Sequence, residues 1–373
     1  MERSASGNIL VRVSEVVVND SSDDTRRYYN VNTDGNLSDN LETFPYNEFL
    51  AKITVGIVLG LINLTTILGN LLVCVTIGSN KRLQNATNYF ICSLAACDLL
   101  LGVLVLPFSN INTLFPDQWP LGPVFCNIFV STDVTLCTIS ILNLFAISLE
   151  RYLAVTKPYL YVRWTTTRTV AIVLTAIWVF SFVLGFIPIH MGWNTLDGST
   201  QNYAHKNLCL LEANAAYVLL VSIGTYFTPL VIMCAVYVKV FSVAKKQVKR
   251  IKQLTISQQH VMNGNKSTDG QSPKHRGQSA SENKATVTLA TVILAFTVCW
   301  VPYFVLFTAR PFVSNGFNPT VDLFTLWLGY VNSMLNPFVY AFHSSEFRYG
   351  FMLVLCRKRA ERYRSRHPEA YFL

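Results

Sequence analysis

The sequence predicts an all-α membrane protein, a bundle of seven transmembrane helices followed by a short amphipathic eighth helix. The composition is 51% hydrophobic and only 14% charged, with a mean hydropathy of +0.35, which is too apolar for an ordinary soluble domain. Seven apolar windows are each long enough to cross a bilayer as a helix, which takes about 20 residues. Basic residues are concentrated in alternate connections between these windows, as in multi-pass proteins.

The windows define the transmembrane spans in chain order. They lie at residues 50–78, 87–109, 123–155, 169–191, 215–242, 285–309 and 320–342. The connections after the first, third and fifth windows carry Lys and Arg, which places them in the cytoplasm by the positive-inside rule. The segment before the first window is rich in Asp and Glu, and its sequons at Asn19 and Asn36 suit glycosylation outside the cell. We therefore predict a multi-pass plasma-membrane protein with an extracellular amino terminus.

Three regions follow from this topology. Residues 1–49 form an extracellular glycosylated tail, residues 50–343 the transmembrane bundle, and residues 344–373 an amphipathic helix with a basic cytoplasmic tail. The bundle includes a basic cytoplasmic loop at residues 243–284, which we predict to be partly disordered. Its last part, residues 261–284, is polar and poor in large apolar side chains, as is typical of a disordered linker.

The composition also limits the class of function. The net charge of +9 is not taken as a sign of nucleic-acid binding, because the basic residues lie between and after the apolar windows, where membrane topology accounts for them. We therefore expect no nucleic-acid partner. The sequence has no glycine-rich phosphate loop, HExxH pair or CxxC pair, so it indicates no enzyme.

Three cysteines carry specific expectations. Cys126 and Cys209 fall at the predicted extracellular boundary, where oxidation is permitted, and we expect a disulfide that holds the loop before the fifth span against the top of the third. Cys356 follows the amphipathic stretch SSEFRYGFMLVL and precedes RKR, which makes it a candidate for palmitoylation beside anionic membrane lipid. An unmodified cysteine is the alternative.

The predicted third span carries Asp133 near one end and the Glu150–Arg151 pair near the other, and a further acid, Asp98, falls in the second span. An ionised side chain at the centre of a bilayer helix costs roughly 2.5–3.5 kcal/mol, so such residues usually face a cavity or a partner. These positions are therefore the first candidates for functional sites.

An ordered set of motifs across the seven spans resembles the class A, or rhodopsin-like, G-protein-coupled receptors over about residues 50–356. The resemblance implies a receptor that signals through a heterotrimeric G protein, with arrestin and receptor kinases as further partners. The motifs are GN at Gly69–Asn70, SLAACD ending at Asp98, Cys126, ERY at Glu150–Tyr152, Trp178, Pro229 with Tyr237, FTVCWVPYF at Phe296–Phe304 and NPFVY at Asn336–Tyr340.

Within that family, Asp133 and the surrounding aromatic residues resemble the aminergic receptors. The segments GFIPIHMGWN, VFSVAKKQVKRIKQ and LWLGYVNSMLNP look most like the histamine type-2 group. That group has an acid on the fifth span two turns before the proline, where this chain has Val221. The resemblance implies a small cationic biogenic amine as ligand, histamine-like or alternatively serotonin, octopamine or another monoamine, and the stimulatory type of G protein.

Asp133 lies two helical turns below Cys126, about 10 Å deep, where it is shielded yet reachable from outside. A protonated amine would supply its counter-charge, and aromatic faces would add a cation–π attraction of about 0.5–2 kcal/mol. The alternative is that Asp133 simply pairs with Tyr330.

The hydroxyls of Ser222 and Thr225 on the fifth span either bind a polar group of the ligand or donate hydrogen bonds back to helix carbonyls. The candidate ligand-binding residues are Asp133, Val134, Cys137, Val221, Ser222, Thr225, Trp300, Tyr303, Phe304, Trp327 and Tyr330.

The cytoplasmic end carries a candidate switch for G-protein coupling. Glu150 can neutralise Arg151 locally, and Glu282 near the start of the sixth span can reach the same guanidinium, forming a latch between helices. In the family such a latch resembles the resting state, with Tyr152, Tyr237 and Tyr340 as supports. A solvated charge cluster is the alternative.

Asp98 is accompanied by oxygen-bearing residues that resemble the sodium pocket of the family. Hard cations prefer oxygen ligands, so we expect Na⁺ to act as an allosteric modulator there, with Asp98 as the metal ligand. A protonated or water-bridged acid is the alternative. The candidate sodium residues are Asp98, Ser140, Asn332, Ser333 and Asn336, with Asn70 beside them.

Three other functions remain open at this point. A transporter of organic cations is disfavoured by the seven spans and by the lack of an inverted repeat. An opsin needs a lysine where this chain has Tyr330. A peptide or lipid receptor of the same fold would leave Asp133 without a purpose.

Overall fold

The computed structural model describes residues 29–31, 37–39, 44–116, 118–203, 208–262, 274–313 and 316–366. The chain divides into two units, Met1–Val58 and Leu59–Leu373. In the first unit, strands β1 (Tyr29–Val31) and β2 (Leu37–Asp39) pair antiparallel, which the sequence analysis did not predict. The predicted glycosylation sites Asn19 and Asn36 lie outside the described residues.

All other regular structure in the described residues is helical. Short 3₁₀ turns at Lys81–Leu83 and Arg310–Phe312 and a π-helix at Leu220–Phe227 complete the set. The α-helices are α1 Phe44–Ser79, α2 Ala86–Leu104, α3 Leu106–Leu114, α4 Gly122–Thr156, α5 Pro158–Trp164, α6 Thr167–His190, α7 Ala215–Leu219, α8 Thr228–Met262, α9 Lys274–Ala309, α10 Pro319–His343, α11 Ser345–Leu355 and α12 Arg357–Arg366.

The predicted seven-helix bundle with an eighth amphipathic helix is confirmed. Six stretches of the described chain are long and apolar enough to cross a membrane, at Phe49–Ser79, Ala86–Leu114, Gly122–Thr156, Thr167–His190, Ala215–Val243 and Val287–Phe312. The seventh span is α10, whose centre is made less apolar by Asn332, Ser333 and Asn336. The amphipathic helix is α11. These apolar stretches and α10 begin and end within a few residues of their predicted windows, although helices α8 and α9 themselves extend further into the cytoplasmic loop.

Side-chain caps explain where several helices begin. The side chains of Asn85, Thr166, Asn214, Asn318 and Ser344 each accept a hydrogen bond from a backbone N–H in the first turn of the helix that follows. Such caps satisfy donors that have no partner within the helix and contribute about 1 kcal/mol each. The predicted windows of the second, fourth, fifth and seventh spans begin close to these positions because the capping residues lie at the edges of the apolar runs.

Prolines break or bend the spans at defined points. The second span breaks at Val105, between α2 and α3, just before Pro107, which lacks a backbone N–H. In the fifth span the π-helix precedes Pro229, and its last turn is closed by the N–H of Thr228 donating to the carbonyl of Ile223, five residues earlier. Pro302 lies inside α9.

The cytoplasmic loop differs from the prediction. Helix α8 continues to Met262 and α9 already begins at Lys274, so the predicted disorder of residues 261–284 is wrong for the backbone of residues 274–284. Extending an existing helix costs far less free energy than starting one, so a polar segment attached to an apolar span can continue its helix.

The bundle packs closely where small residues let helices approach. A Cβ atom at Gly185 on α6 would lie 2.2 Å from Oγ1 of Thr135 on α4, and one at Gly329 on α10 would lie 2.8 Å from the ring of Trp300 on α9. Apolar side chains face outward along α1 and α6, while polar residues such as Asn70 and Asp98 are fully buried. This distribution suits a bundle surrounded by lipid.

Candidate functional site

A cavity of about 520 Å³ lies between the outer halves of the third, fifth, sixth and seventh spans. Its size is that of a small-molecule site, and its lining is mostly apolar with a few polar groups. Nine of the eleven predicted ligand-binding residues line it, and they are Asp133, Val134, Cys137, Val221, Thr225, Trp300, Tyr303, Phe304 and Tyr330.

Asp133 is the acid on the wall of the cavity. The hydroxyl of Tyr330 donates to its Oδ2 at 2.8 Å, and Sγ of Cys137 donates to its Oδ1 at 3.5 Å. Of the described residues that line the cavity, only Arg310 carries a positive charge, and its Nη2 donates to Oδ2 of Asp322 at 3.0 Å. Asp133 therefore has hydrogen-bond donors but no cationic partner among the described residues.

Aromatic rings form the floor and one side of the cavity. The ring of Trp300 meets Tyr330 edge to face at 6.3 Å and Tyr303 at 5.8 Å, measured between ring centroids. The ring of Tyr226 stacks on that of Phe304 at 3.8 Å. Because aromatic faces attract cations, this enclosure favours a positively charged group beside Asp133.

Two predicted ligand-binding residues do not line the cavity in the described chain. Ser222 is fully buried and donates its hydroxyl to the carbonyl of Val218 at 2.7 Å, so the alternative of back-bonding holds there. Trp327 does not line the cavity, and its Nε1 donates to Oγ1 of Thr113, a residue of the cavity wall, at 3.0 Å. Thr225 does line the cavity, although its hydroxyl donates to the carbonyl of Val221.

The loop before the fifth span forms the roof. The predicted disulfide between Cys126 and Cys209 is present, with the two Cα atoms 5.6 Å apart. Nδ2 of Asn202 donates to the carbonyl of Leu210 at 3.0 Å, and the N–H of Leu210 donates back to Oδ1 of Asn202 at 3.2 Å. Nδ2 of Asn112 donates to the carbonyl of Cys209. These bonds hold the side of the loop that carries Leu210 and Leu211 against the cavity.

Sequence reasoning missed several residues of this wall. Tyr217 and Tyr226 of the fifth span, Phe307 of the sixth, and the Arg310–Asp322 pair all line the cavity. The position of Tyr226 next to Thr225 in the sequence was a possible signal for its place in the cavity wall. In a regular α-helix, however, Tyr226 and Val221 would lie on different faces. The π-helix has more residues per turn than an α-helix, and this brings Tyr226 to the face of the fifth span that contains Val221.

A second group of polar side chains surrounds Asp98, deep in the bundle. Nδ2 of Asn336 donates to its Oδ2 at 2.8 Å, and Nδ2 of Asn70 donates to the carbonyl of Ser333 at 3.0 Å. Four buried oxygens here have no hydrogen-bond partner among the described residues, namely Oδ1 of Asn70, Asp98, Asn332 and Asn336. Together with Ser140, these are oxygen ligands of the kind that a hard cation takes, so the residues fit Na⁺.

The cytoplasmic end of α4 carries a compact ion pair. Nε and Nη2 of Arg151 donate to the two carboxylate oxygens of Glu150 at 2.7 and 3.0 Å, and Nη2 also contacts Oγ1 of Thr87. Thr87 in turn donates to Oε1 of Glu150 at 2.9 Å. Burial, reinforced by the negative charge of Glu150, raises the pKa of Tyr161 on α5 to about 12, so its phenol stays neutral.

The remaining predicted switch residues lie around this pair or outside the described side chains. Tyr237 and Tyr340 are buried, and the hydroxyl of Tyr237 has no partner among the described residues. Nζ of Lys239 lies 5.5 Å from the ring of Tyr152. The side chain of Glu282 lies outside those that the structure describes, so its contact with Arg151 stays a prediction. Cys356 is exposed between α11 and α12, and its lipidation also stays a prediction.

Comparison with known proteins gives a consistent result. The sequence matches the family described as "7 transmembrane receptor (rhodopsin family)" over residues 69–340. It is 43% identical over 321 residues to the Histamine H2 receptor of Homo sapiens, with 86% of this chain and 84% of that protein covered. It is 45% identical over 301 residues to the Histamine H2 receptor of Rattus norvegicus, with 80% and 78% covered. The Histamine H2 receptor of Cavia porcellus is 42% identical over 306 residues, with 82% and 80% covered.

Proposed function

The chain belongs to the rhodopsin family of seven-transmembrane receptors, and from that premise we propose that its ligand is a small biogenic amine held by Asp133. It is a multi-pass protein of the plasma membrane, and its amino terminus lies outside, as is typical of the family. The observation that carries the proposal is the carboxylate of Asp133 on the wall of a cavity of about 520 Å³. Without a ligand it has two hydrogen-bond donors and no cationic partner among the described residues.

The size and the lining of the cavity support a ligand with one cationic end. Charge-assisted hydrogen bonds are about twice as strong as neutral ones, and they gain further in a site that excludes water. Trp300, Tyr303 and Phe304 enclose the same space and present aromatic surface to a bound ammonium group. The site therefore suits a primary amine on a short chain attached to a ring.

Histamine is the first candidate for that amine. The relatives at 43% and 45% identity are named for histamine. Val221 lines the cavity as an apolar residue, so the fifth span presents no acid to the ligand at this position. Serotonin, octopamine or another monoamine is the alternative, because each combines an ammonium group with a ring of similar size.

The receptor passes the signal by a shift between two packings of its helices, without covalent chemistry. In this proposal a heterotrimeric G protein docks at the cytoplasmic end, which carries the Glu150–Arg151 pair, Tyr237 and Tyr340. The stimulatory type of G protein is the first candidate. Arrestin and receptor kinases are the further partners.

Two other sites belong to this proposal. Na⁺ bound at Asp98 favours the resting packing of the helices. A palmitoyl group on Cys356, together with the basic α12, holds the tail against membrane lipid.

A panel of amines tests the proposal. Cells that express the chain receive histamine, serotonin, dopamine, octopamine and tyramine in turn, while cyclic AMP and calcium are recorded. We expect at least one amine to raise cyclic AMP at micromolar concentration or below, and untransfected cells to stay silent. A lack of response to the whole panel, with the protein present at the cell surface, would contradict the proposal.

A further inference from the structure

An ion pair joins the outer ends of the sixth and seventh spans at the mouth of the cavity. Nη2 of Arg310 donates to Oδ2 of Asp322 at 3.0 Å, and both residues line the cavity. Asp322 lies eight residues before Tyr330, or about 12 Å along α10, and the hydroxyl of Tyr330 donates to Asp133. The two side chains of the ion pair are 40% and 26% exposed, so the pair lies between solvent and the interior of the cavity. A molecule that travels from solvent to Asp133 therefore passes close to it.

The roof of the cavity is fixed by several contacts at once. Cys209 is bonded to Cys126 on α4, and its carbonyl accepts a hydrogen bond from Nδ2 of Asn112 on α3. The backbone of Leu210 exchanges two hydrogen bonds with the side chain of Asn202. The roof can move away from the mouth only if a covalent bond constrains the motion and several hydrogen bonds break together, so it is the rigid side of the mouth.

The side of the mouth that the sixth and seventh spans form depends on a single polar contact. The bond between Arg310 and Asp322 is the only polar side-chain contact that the described residues make between the outer ends of these two spans. Half-exposed ion pairs stabilise weakly, because water competes for both partners and two long side chains lose freedom. Cζ of Arg310 lies 6.0 Å from the ring centroid of the buried Phe307, so the guanidinium is held by the sixth span. This ion pair is therefore the part of the mouth that opens at the lowest cost.

We propose that the Arg310–Asp322 pair is a clasp that controls access to the cavity. When the clasp is closed, the two charges cancel, and a cation in the mouth is neither held by a lone carboxylate nor repelled by a lone guanidinium. When the clasp opens, the outer ends of the two spans separate and the mouth widens. Entry and exit are speeded alike, so the clasp sets the rates of binding more than the affinity. The inference goes beyond the proposed function, because it concerns passage into the cavity whatever molecule binds there.

A natural cysteine inside the cavity reports on access. Cys137 lines the cavity, and its Sγ donates to Oδ1 of Asp133 at 3.5 Å. Methyl methanethiosulfonate is a small uncharged reagent, and the Cys137 sulfur forms a disulfide with its thiomethyl group and releases methanesulfinate. Peptide mass spectrometry of the purified receptor measures the rate. We expect Arg310→Gln and Asp322→Asn each to speed the modification of Cys137 by up to about fivefold. The exchanged pair, Arg310→Asp combined with Asp322→Arg, should restore the wild-type rate.

Two controls accompany this experiment. Cys234 is exposed and lies outside the described cavity lining, so its modification should proceed at one rate in every variant. Arg357→Gln breaks another exposed ion pair, with Glu361 on α12, and should leave the modification of Cys137 unchanged.

A cationic reagent separates opening of the clasp from attraction of charge. If the two residues act only by steering charge, methanethiosulfonate ethylammonium will react faster with Cys137 in Arg310→Gln and more slowly in Asp322→Asn, while the uncharged reagent reacts equally in both and in the wild type. That result would overturn the clasp, as would equal rates, or no reaction, with the uncharged reagent in the wild type and both variants. Neither reagent is the ligand, so such a failure leaves the amine receptor standing. A silent amine panel, in turn, leaves this measurement unaffected.

Discussion

Tyr330 and Cys137 both donate hydrogen bonds to Asp133, so these bonds stabilise the buried carboxylate when no ligand is bound. Hydrogen bonds of this kind stabilise the ionised form but leave the negative charge uncompensated. The sequence alone is compatible with a simple pair with Tyr330 and with an anchor for an amine. Both descriptions are compatible, because each carboxylate oxygen of Asp133 accepts one of these hydrogen bonds and can accept a further one from an ammonium group.

Replacing Asp133 tests the anchor at the scale of one residue. We expect Asp133→Asn to raise the half-maximal concentration of the activating amine at least thirtyfold, because losing one partner of a buried charge pair costs about 2–5 kcal/mol. Cyclic AMP responses are compared at equal surface expression. Asp322→Asn is the matched control, since that carboxylate lines the same cavity but is paired with Arg310. Equal losses in both variants would argue against a specific role for Asp133.

At the scale of the element, the sequence predicted the helices well and the rotation of their faces less well. Asp133, Val134 and Cys137 were placed correctly because they lie on a regular α-helix, where residues three and four apart share a face. Ser222 was expected in the cavity wall and does not line it, and its hydroxyl donates back to the carbonyl of Val218. It lies in the π-helix of the fifth span, where residues share faces differently from a regular α-helix, and no pattern of apolar residues predicts such a segment. Trp327 was expected in the cavity wall and does not line it; its indole N–H donates to Thr113, a contact between helices that a single sequence does not encode.

The contact between α4 and α6 depends on the absence of a side chain at Gly185. A Cβ atom there would lie 2.2 Å from Oγ1 of Thr135 and 2.9 Å from the carbonyl oxygen of Ser131. We expect Gly185→Ala to destabilise the bundle by about 1–3 kcal/mol through overpacking, measured as a lower melting temperature of the purified protein in detergent. Gly60→Ala is the control, because a Cβ atom at Gly60 meets nothing within 4 Å. A similar melting temperature for the two variants would contradict this account of the packing.

At the scale of the whole molecule, three charged sites lie at different depths. Asp133 and Glu150 are separated by about 25 Å along α4, and Ser140 of the Asp98 group lies between them. Direct electrostatic coupling over such a distance is weak, so a signal between the ends requires a change in helix packing. The close contact of Gly329 with Trp300, a residue of the cavity wall, ties the sixth span to the seventh.

Sodium provides a test of coupling between the middle and outer sites. Four oxygens at Asp98 and its neighbours have no partner among the described residues and offer ligands to Na⁺, and a cation there would favour one helix packing over the other. We expect agonist affinity to fall several-fold when Na⁺ replaces N-methylglucamine in a membrane-binding assay, and to be independent of Na⁺ in Asp98→Asn. An equal response to sodium in wild type and variant, or none in either, would remove the sodium site from the proposal.

The cytoplasmic latch is a property of the whole bundle, since it would join the third span to the sixth. Arg151 is already bound by Glu150 through Nε and Nη2 and contacts Thr87, so Glu282 would add a second carboxylate to the same guanidinium. Such a contact at the membrane surface is worth about 1 kcal/mol or less, which corresponds to as much as a fivefold change in the population of the active packing. We therefore expect Glu282→Ala to raise cyclic AMP in the absence of ligand by up to about fivefold.

Glu361→Ala is the control. It removes an exposed ion pair with Arg357 on α12 and should leave the basal signal unchanged. A basal signal that stays level or falls in Glu282→Ala, at equal surface expression, would mean that the resting packing is held by the Glu150–Arg151–Thr87 contacts alone.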